Sequence, residues 1–229
     1  MDFTSELVIG FVLFDLITMG CIAAWLVRRN RHRTRDLRAA AEELGLLFSQ
    51  CDAGLVGRLA GLPLIMQAIR PRIRNVLSDA SDDLDARIFD CHITVDGGSE
   101  YVTLAQTAVY LQSPDLRLPC FAWRTDEAAR LLREPPELTE VTDLKGFEST
   151  GRRLFVRNTP AAREFFDSEL IGHLETFSGL CVEAEGDRLL VYRFHHRAKP
   201  GELRDLLTEG IELLGTLRKA ISEQLSAVL

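Results

Sequence analysis

Lysine is almost missing from this 229-residue chain. Only Lys145, Lys199 and Lys219 occur; arginine supplies the rest of the 27 basic residues, against 34 acidic ones, for a net charge of -7. Such a chain lacks the broad basic surface that nucleic-acid binding requires, so no nucleic acid is expected as a partner. Cysteine is also scarce. Cys21, Cys51, Cys91, Cys120 and Cys181 are odd in number, widely spaced and form no C-x-x-C pair. That excludes a disulfide framework or a zinc ribbon and fits free, mostly buried thiols in a reducing compartment. The chain has no G-x-S-x-G, no P-loop, no G-x-G-x-x-G and no H-E-x-x-H, and internal repeats and low-complexity tracts are absent. No catalytic residue, cofactor or metal is therefore assigned.

What the chain does have is one long apolar run, Leu7 to Val27, with a single charge at Asp15. A helix of that length rises about 31 Å, close to a hydrocarbon core of about 30 Å, so a transmembrane helix is expected over 7–27. Arg28, Arg29, Arg31, Arg33, Arg35 and Arg38 follow it directly, whereas only Asp2 and Glu6 precede it. This asymmetry predicts a single pass through the inner (plasma) membrane, with the N-terminus outside and the C-terminal domain cytoplasmic. Trp25 then sits at the interface, and the arginine collar faces a lipid bilayer with anionic headgroups. A cleaved signal is disfavoured because its basic region belongs before the apolar stretch. A central Asp15 costs about 2.5–3.5 kcal/mol, which the aliphatic and Phe residues offset by roughly 4–7. It is either an intramembrane contact to a membrane protein partner or a tolerated polar residue.

Residues 39–229 carry 21 basic and 30 acidic residues, near -9. Leu37, Ala40, Ala41, Leu44, Leu47 and Phe48 recur at helical spacing, so 34–48 reads as a helix continuing from the span. The period then changes to two. Short strands are expected over 62–80 around Pro71, then over 85–95, 101–112 and 117–124, with a turn at 96–99. A helix over 125–134 ends at Pro135-Pro136, and 135–150 reads as a connection. Beyond it come a strand at 152–158, a helix capped by Thr159 with Pro160 in its first turn, a hairpin turning at Gly186-Asp187, and a last helix from Pro200 to Leu225. The fold class is α+β: an N-terminal transmembrane helix, an antiparallel β-meander lobe and a β-α-β-β-α lobe. The expected units are 1–33, a 34–134 lobe, a 135–150 connection and a 151–229 lobe.

The series "NVLSDASDDLDARIFDCHITV", "QTAVYLQSPDLRLPCFAWR", "LFVRNTPAAREFF", "VEAEGDRLLVYR" and "KPGELRDLLTEG" resembles a bacterial family of small single-pass membrane proteins whose α+β cytoplasmic domain has no known function. The resemblance covers most of residues 34–215. It implies an anchored cytosolic domain and carries no catalytic residue. This chain departs from the family in being aspartate-rich, not glycine-rich, after Asn75-Val76-Leu77.

Among the polar clusters, Asp79, Asp82, Asp83 and Asp85 lack the EF-hand pattern and read as a solvated turn. Cys91-His92 and His195-His196 cannot chelate as adjacent strand residues, whose side chains point to opposite faces. The most informative set is basic. Arg70, Arg72 and Arg74 alternate and so share one strand face, a candidate docking face for an acidic protein partner, a lipid surface or a phosphorylated ligand. The competing expectation is local pairing with the many aspartates. Arg152, Arg153, Arg157, Arg193 and Arg197 lie on other strand edges. The function expected is an interaction or scaffold module at the inner membrane surface; the alternative is a ligand-sensing or enzymatic domain with a pocket between two lobes.

Overall fold

The helix that opens the chain has no proline and no helix-ending glycine until Gly45. In the computed structural model, α1 runs unbroken over Phe3–Leu44. The structure describes residues 3–81, 83–97, 100–142, 151–157 and 160–228, with backbone alone at 3–13, 80, 161, 225, 227 and 228. Gly45, at φ +72°, ends α1: its N–H donates to the Glu42 carbonyl, and the Leu46 N–H donates to that of Ala41 at 2.8 Å. This paired closure needs a left-handed residue, which glycine adopts without a side-chain clash.

The expectation of a single-pass inner-membrane protein is corrected. Among the described residues no helix is long and apolar enough to cross a membrane. The side chains of residues 7–13 of the expected span lie outside the described ones. The apolar stretch that is described, 14–27, gives about 21 Å of helix before Arg28, short of the roughly 30 Å a span needs.

Among the described residues all strand pairs are antiparallel, in one nine-stranded sheet ordered β1-β2-β3-β4-β9-β8-β5-β7-β6. β1 (Leu47–Ser49), β2 (Arg72–Ala80), β3 (Asp85–Asp96) and β4 (Tyr101–Gln112) form consecutive neighbours. There the meander ends. The hairpin of β8 (Leu180–Gly186) and β9 (Arg188–Arg193) lies between β4 and β5 (Leu118–Thr125). β7 (Arg152–Arg157) and β6 (Leu138–Val141) complete the far edge. The mixed α+β class holds, but the strand order is not a simple meander.

Helices cover both faces. On one, Leu37, Ala40 and Ala41 of α1 join α5 (Pro160–Phe165), α6 (Ser168–Thr176) and α7 (Leu203–Val228) over Leu77, Ile88, Val109 and Val191. On the other, α2 (Leu55–Leu59), α3 (Pro63–Met66) and α4 (Asp126–Leu132) pack over Ile73, Val76, Phe89, Cys91 and Tyr110. Several local expectations change. Residues 62–66, read as strand, contain α3, because Pro63 in a first turn favours a helix. The apolar end of the expected 34–48 helix becomes β1. Part of the expected 135–150 connection is β6, while 143–150 lie outside the described residues. The single helix expected after Pro160 is split at Asp167, whose carboxylate accepts the Leu170 N–H at 2.8 Å and caps α6. The expected Thr159 cap and residues 98 and 99 of the 96–99 turn lie outside the described residues.

A bulge in β2 fixes what its side chains face. Arg74 pairs with Asp90 but Leu77 with Ile88, so β2 carries one extra residue there. Asn75 sits at φ +52° inside this irregularity. The extra residue lets Arg72 and Arg74 share a face with Leu77, while Ile73 and Val76 enter the opposite core.

Candidate functional site

The α1-covered face of the sheet changes character along the strands. From Leu77, Ile88 and Val109 it is apolar and lies under the C-terminal half of α1. Two residues further along β3 comes Asp90, then His92 and Thr94, aligned by the register with Arg74, Arg72 and, on β4, Thr107 and Thr103. Here α1 presents Asn30 and Thr34. A cavity of about 510 Å³ opens between helix and sheet, with Arg70, Arg72, Arg74 and Arg197 among its walls and His92, Thr94 and Thr103 beside them.

Asp90 is the anchor of this corner. Its side chain is 1 % exposed, and a carboxylate so buried must be bonded on both oxygens. Arg33 grips it with Nε at 2.8 Å and Nη2 at 2.6 Å, and also donates to the Ala198 carbonyl and to Thr107. The Asn75 amide donates to it at 2.9 Å, Thr107 at 3.1 Å and Arg197 at 3.2 Å. Burial alone would push the Asp90 carboxyl up. The bonds from Arg33 and Asn75 and the charge of Arg197 outweigh it and hold the group below its ordinary range. His92 moves the other way for a cation: burial, then the nearby guanidinium of Arg197, against Asp90 and with Arg74 and Arg33, lowers its pKa and keeps the imidazole neutral.

The remaining arginines divide sharply. Arg152 donates to the Leu180 and Phe177 carbonyls, Arg153 pairs with Asp126 and Glu140, Arg157 with Glu137 and Glu185, and Arg193 with Glu209. Arg70, Arg72 and Arg74 are exposed and, among the described residues, meet no carboxylate within ion-pair distance. Local pairing with aspartates therefore does not account for them: Asp85 is taken by Arg58 and Arg87.

Of the collar, Arg33 is half-buried against Asp90, whereas Arg28, Arg29, Arg31, Arg35 and Arg38 are exposed. Arg29 stacks over Trp25 at 5.3 Å and Arg38 over Phe48 at 5.1 Å. Asp15 is exposed on the N-terminal part of α1. The sequence showed the alternation of Arg70, Arg72 and Arg74 but not the joining of Arg33, Arg197 and His92 to them. The available signal was an Asp in the middle of a strand otherwise rich in apolar residues.

A second buried pair is closed on all sides. Arg124 and Glu183 are both fully buried and bond at 2.6 Å; Tyr192 also donates to Glu183, as does the Leu64 N–H. This cluster ties α3 to the sheet. Burial pushes the thiols of Cys91 up to about 12 and Cys120 up to about 11, and raises Cys181 too, so none of them is a thiolate near neutral pH. Among the described residues no three His, Cys, Asp or Glu side chains cluster to hold a metal ion.

No family model matches the sequence, and no curated protein matches it. The fold has a solved counterpart. It is similar to the crystal structure of the mycobacterial trehalose monomycolate transport factor A, TtfA. The TM-score is 0.59 at 15 % identity, over 83 % of this chain and 95 % of that one. At that identity the likeness to TtfA is one of fold.

Proposed function

We propose that this chain is a non-catalytic accessory module for lipid transport, and that it works by holding an anionic group of its partner or cargo in the arginine-lined cavity. The observation that carries the binding half of this reading is the alternating trio Arg70, Arg72 and Arg74, left without carboxylates in a chain of net charge -7 and set around a cavity of about 510 Å³. Exposed guanidinium groups without carboxylate partners in a concave corner add little to packing and favour anion capture. The transport half is supported by the fold shared with TtfA, which is named as a transport factor for trehalose monomycolate. The raised thiol pKa values and the saturated Asp90 favour binding over catalysis.

The test is in cells. Deleting the gene in its native host and following a labelled lipid into the envelope should slow delivery of at least one lipid class. An allele carrying Arg72→Gln and Arg74→Gln should reproduce the defect at normal protein level. Unchanged lipid delivery in the deletion strain would refute the transport role.

A further inference from the structure

We infer that the cavity is a phosphate site: its ligand carries a phosphate monoester, and α1 reads whether that monoester is bound. The inference rests on the anion-binding reading above and narrows it to one chemistry.

The charge at the corner is the first argument. Asp90 is the carboxylate there, and its oxygens already accept from Arg33, Arg197, Asn75 and Thr107. Arg33 and Arg197 together with Arg70, Arg72 and Arg74 bring five guanidinium groups against that one carboxylate, and His92 is neutral. The corner therefore carries an excess of about four positive charges, more than a single carboxylate ligand would balance. A phosphate monoester brings close to two negative charges and three strong acceptor oxygens at neutral pH.

Donor placement is the second. Arg197 is fixed by its Nη2 bond to Asp90 at 3.2 Å, while its Nε is buried and has no acceptor. That nitrogen is sealed from solvent, so Arg197 meets a ligand through the exposed part of its side chain, which forms one wall of the cavity. Arg72 and Arg74 project from the same strand face and both line the cavity, so their planar forks are available to a tetrahedral oxyanion there. Thr94, Thr103 and Asn30 supply neutral groups for the rest of an ester. The volume suits a small ligand or a headgroup. A helix or strand of an acidic protein would need a longer and more open trough.

The coupling to α1 is built from two contacts. Thr34 of α1 bonds the Asn75 side chain at 3.0 Å, and Asn75 in turn holds Asp90. Arg33, one residue away, holds Asp90 directly. Both residues that anchor this part of α1 therefore end on the network beneath the cavity. A groove lined by Val27, Arg31 and Arg35 adjoins the cavity and shares Asn30, Thr34 and Arg74 with it, so an acyl chain attached to the phosphate has an apolar contact available.

Calorimetry on the full chain tests this with four probes: glycerol 3-phosphate, dihexanoyl phosphatidic acid, dihexanoyl phosphatidylcholine as the zwitterionic control, and a hexaglutamate peptide. Glycerol 3-phosphate, phosphatidic acid or both should bind, and Arg72→Gln with Arg74→Gln should weaken that binding at least about tenfold. Equal affinity for the two phosphates identifies a soluble ester as the ligand type; a clear preference for phosphatidic acid identifies a lipid headgroup. Phosphate binding should raise the His92 pKa, seen by NMR of its ring, and slow hydrogen exchange near Thr34. Both arginines are exposed and unpaired, so the double variant should keep the wild-type melting temperature. Failure of both phosphates to bind, equal binding to the double variant, phosphatidylcholine binding as well as phosphatidic acid, or tighter binding of hexaglutamate would overturn the inference. Normal phosphate binding with undisturbed lipid delivery would sink the transport role and leave the phosphate site standing.

Discussion

Asp90 concentrates the electrostatics of this protein in one side chain. Because its folded pKa lies below the ordinary aspartate value of about 3.9, its contribution to stability is complete above that value and is lost as pH falls through the folded one. Asp90→Asn should therefore cost about 3–5 kcal/mol in urea unfolding at pH 7, because Arg33 and Arg197 lose a buried partner. Its stability should also decline less steeply than wild type below pH 4. An unchanged acid limb would mean that another group dominates there. The sequence shows Arg72 and Arg74 on one face because alternation is a local property; Arg70, expected on the same strand face, lies in a bend before β2 and meets them only at the cavity wall. The bond from Arg33 to Asp90 spans 57 positions and the one from Arg197 spans 107. No local period reports contacts of that range, so the anchor of the site was hidden while its rim was legible.

Elements with a strong period and definite ends were legible: β3 and β4, the β8–β9 hairpin, α4 and the long α7. Short pieces were not. β1 has three residues and β6 four, too few to show a period, and the apolar run around Pro63 fits a strand or a helix equally well. α1 combines two regimes in one rod. Leu37 is 1 % exposed and Ile22 is 50 % exposed. Leu37→Ala should cost about 2–5 kcal/mol, whereas Ile22→Ala should stay within about 0.5 kcal/mol, both read from chemical denaturation. Comparable losses would mean that the N-terminal half of α1 is covered in solution. α7 meets the sheet through a glycine: a Cβ at Gly210 would lie 3.3 Å from Val109 Cγ1 and 3.6 Å from Leu111 Cδ1. Gly210→Leu should therefore lift the helix from β4 and cost about 1–3 kcal/mol, measured as a lower melting temperature.

At the scale of the whole molecule, strand order outweighs strand identity. Among the described residues β8 and β9 come last of the strands, yet they fill the middle of the sheet between β4 and β5. A fragment ending at residue 142 would leave β4 and β5 with open edges, so it should show no cooperative urea transition by circular dichroism. A sharp transition in that fragment would refute the point. Sequence reading failed here because a meander and an inserted hairpin use the same local signals; only pairing over long separations tells them apart. The extra residue at Asn75 has a consequence of its own. By resetting the phase of β2 partway along, it divides one strand into a segment with exposed arginines and a packing segment. Substitutions at the exposed positions of the outer segment can thus change its charge without disturbing the hydrophobic register of the inner one.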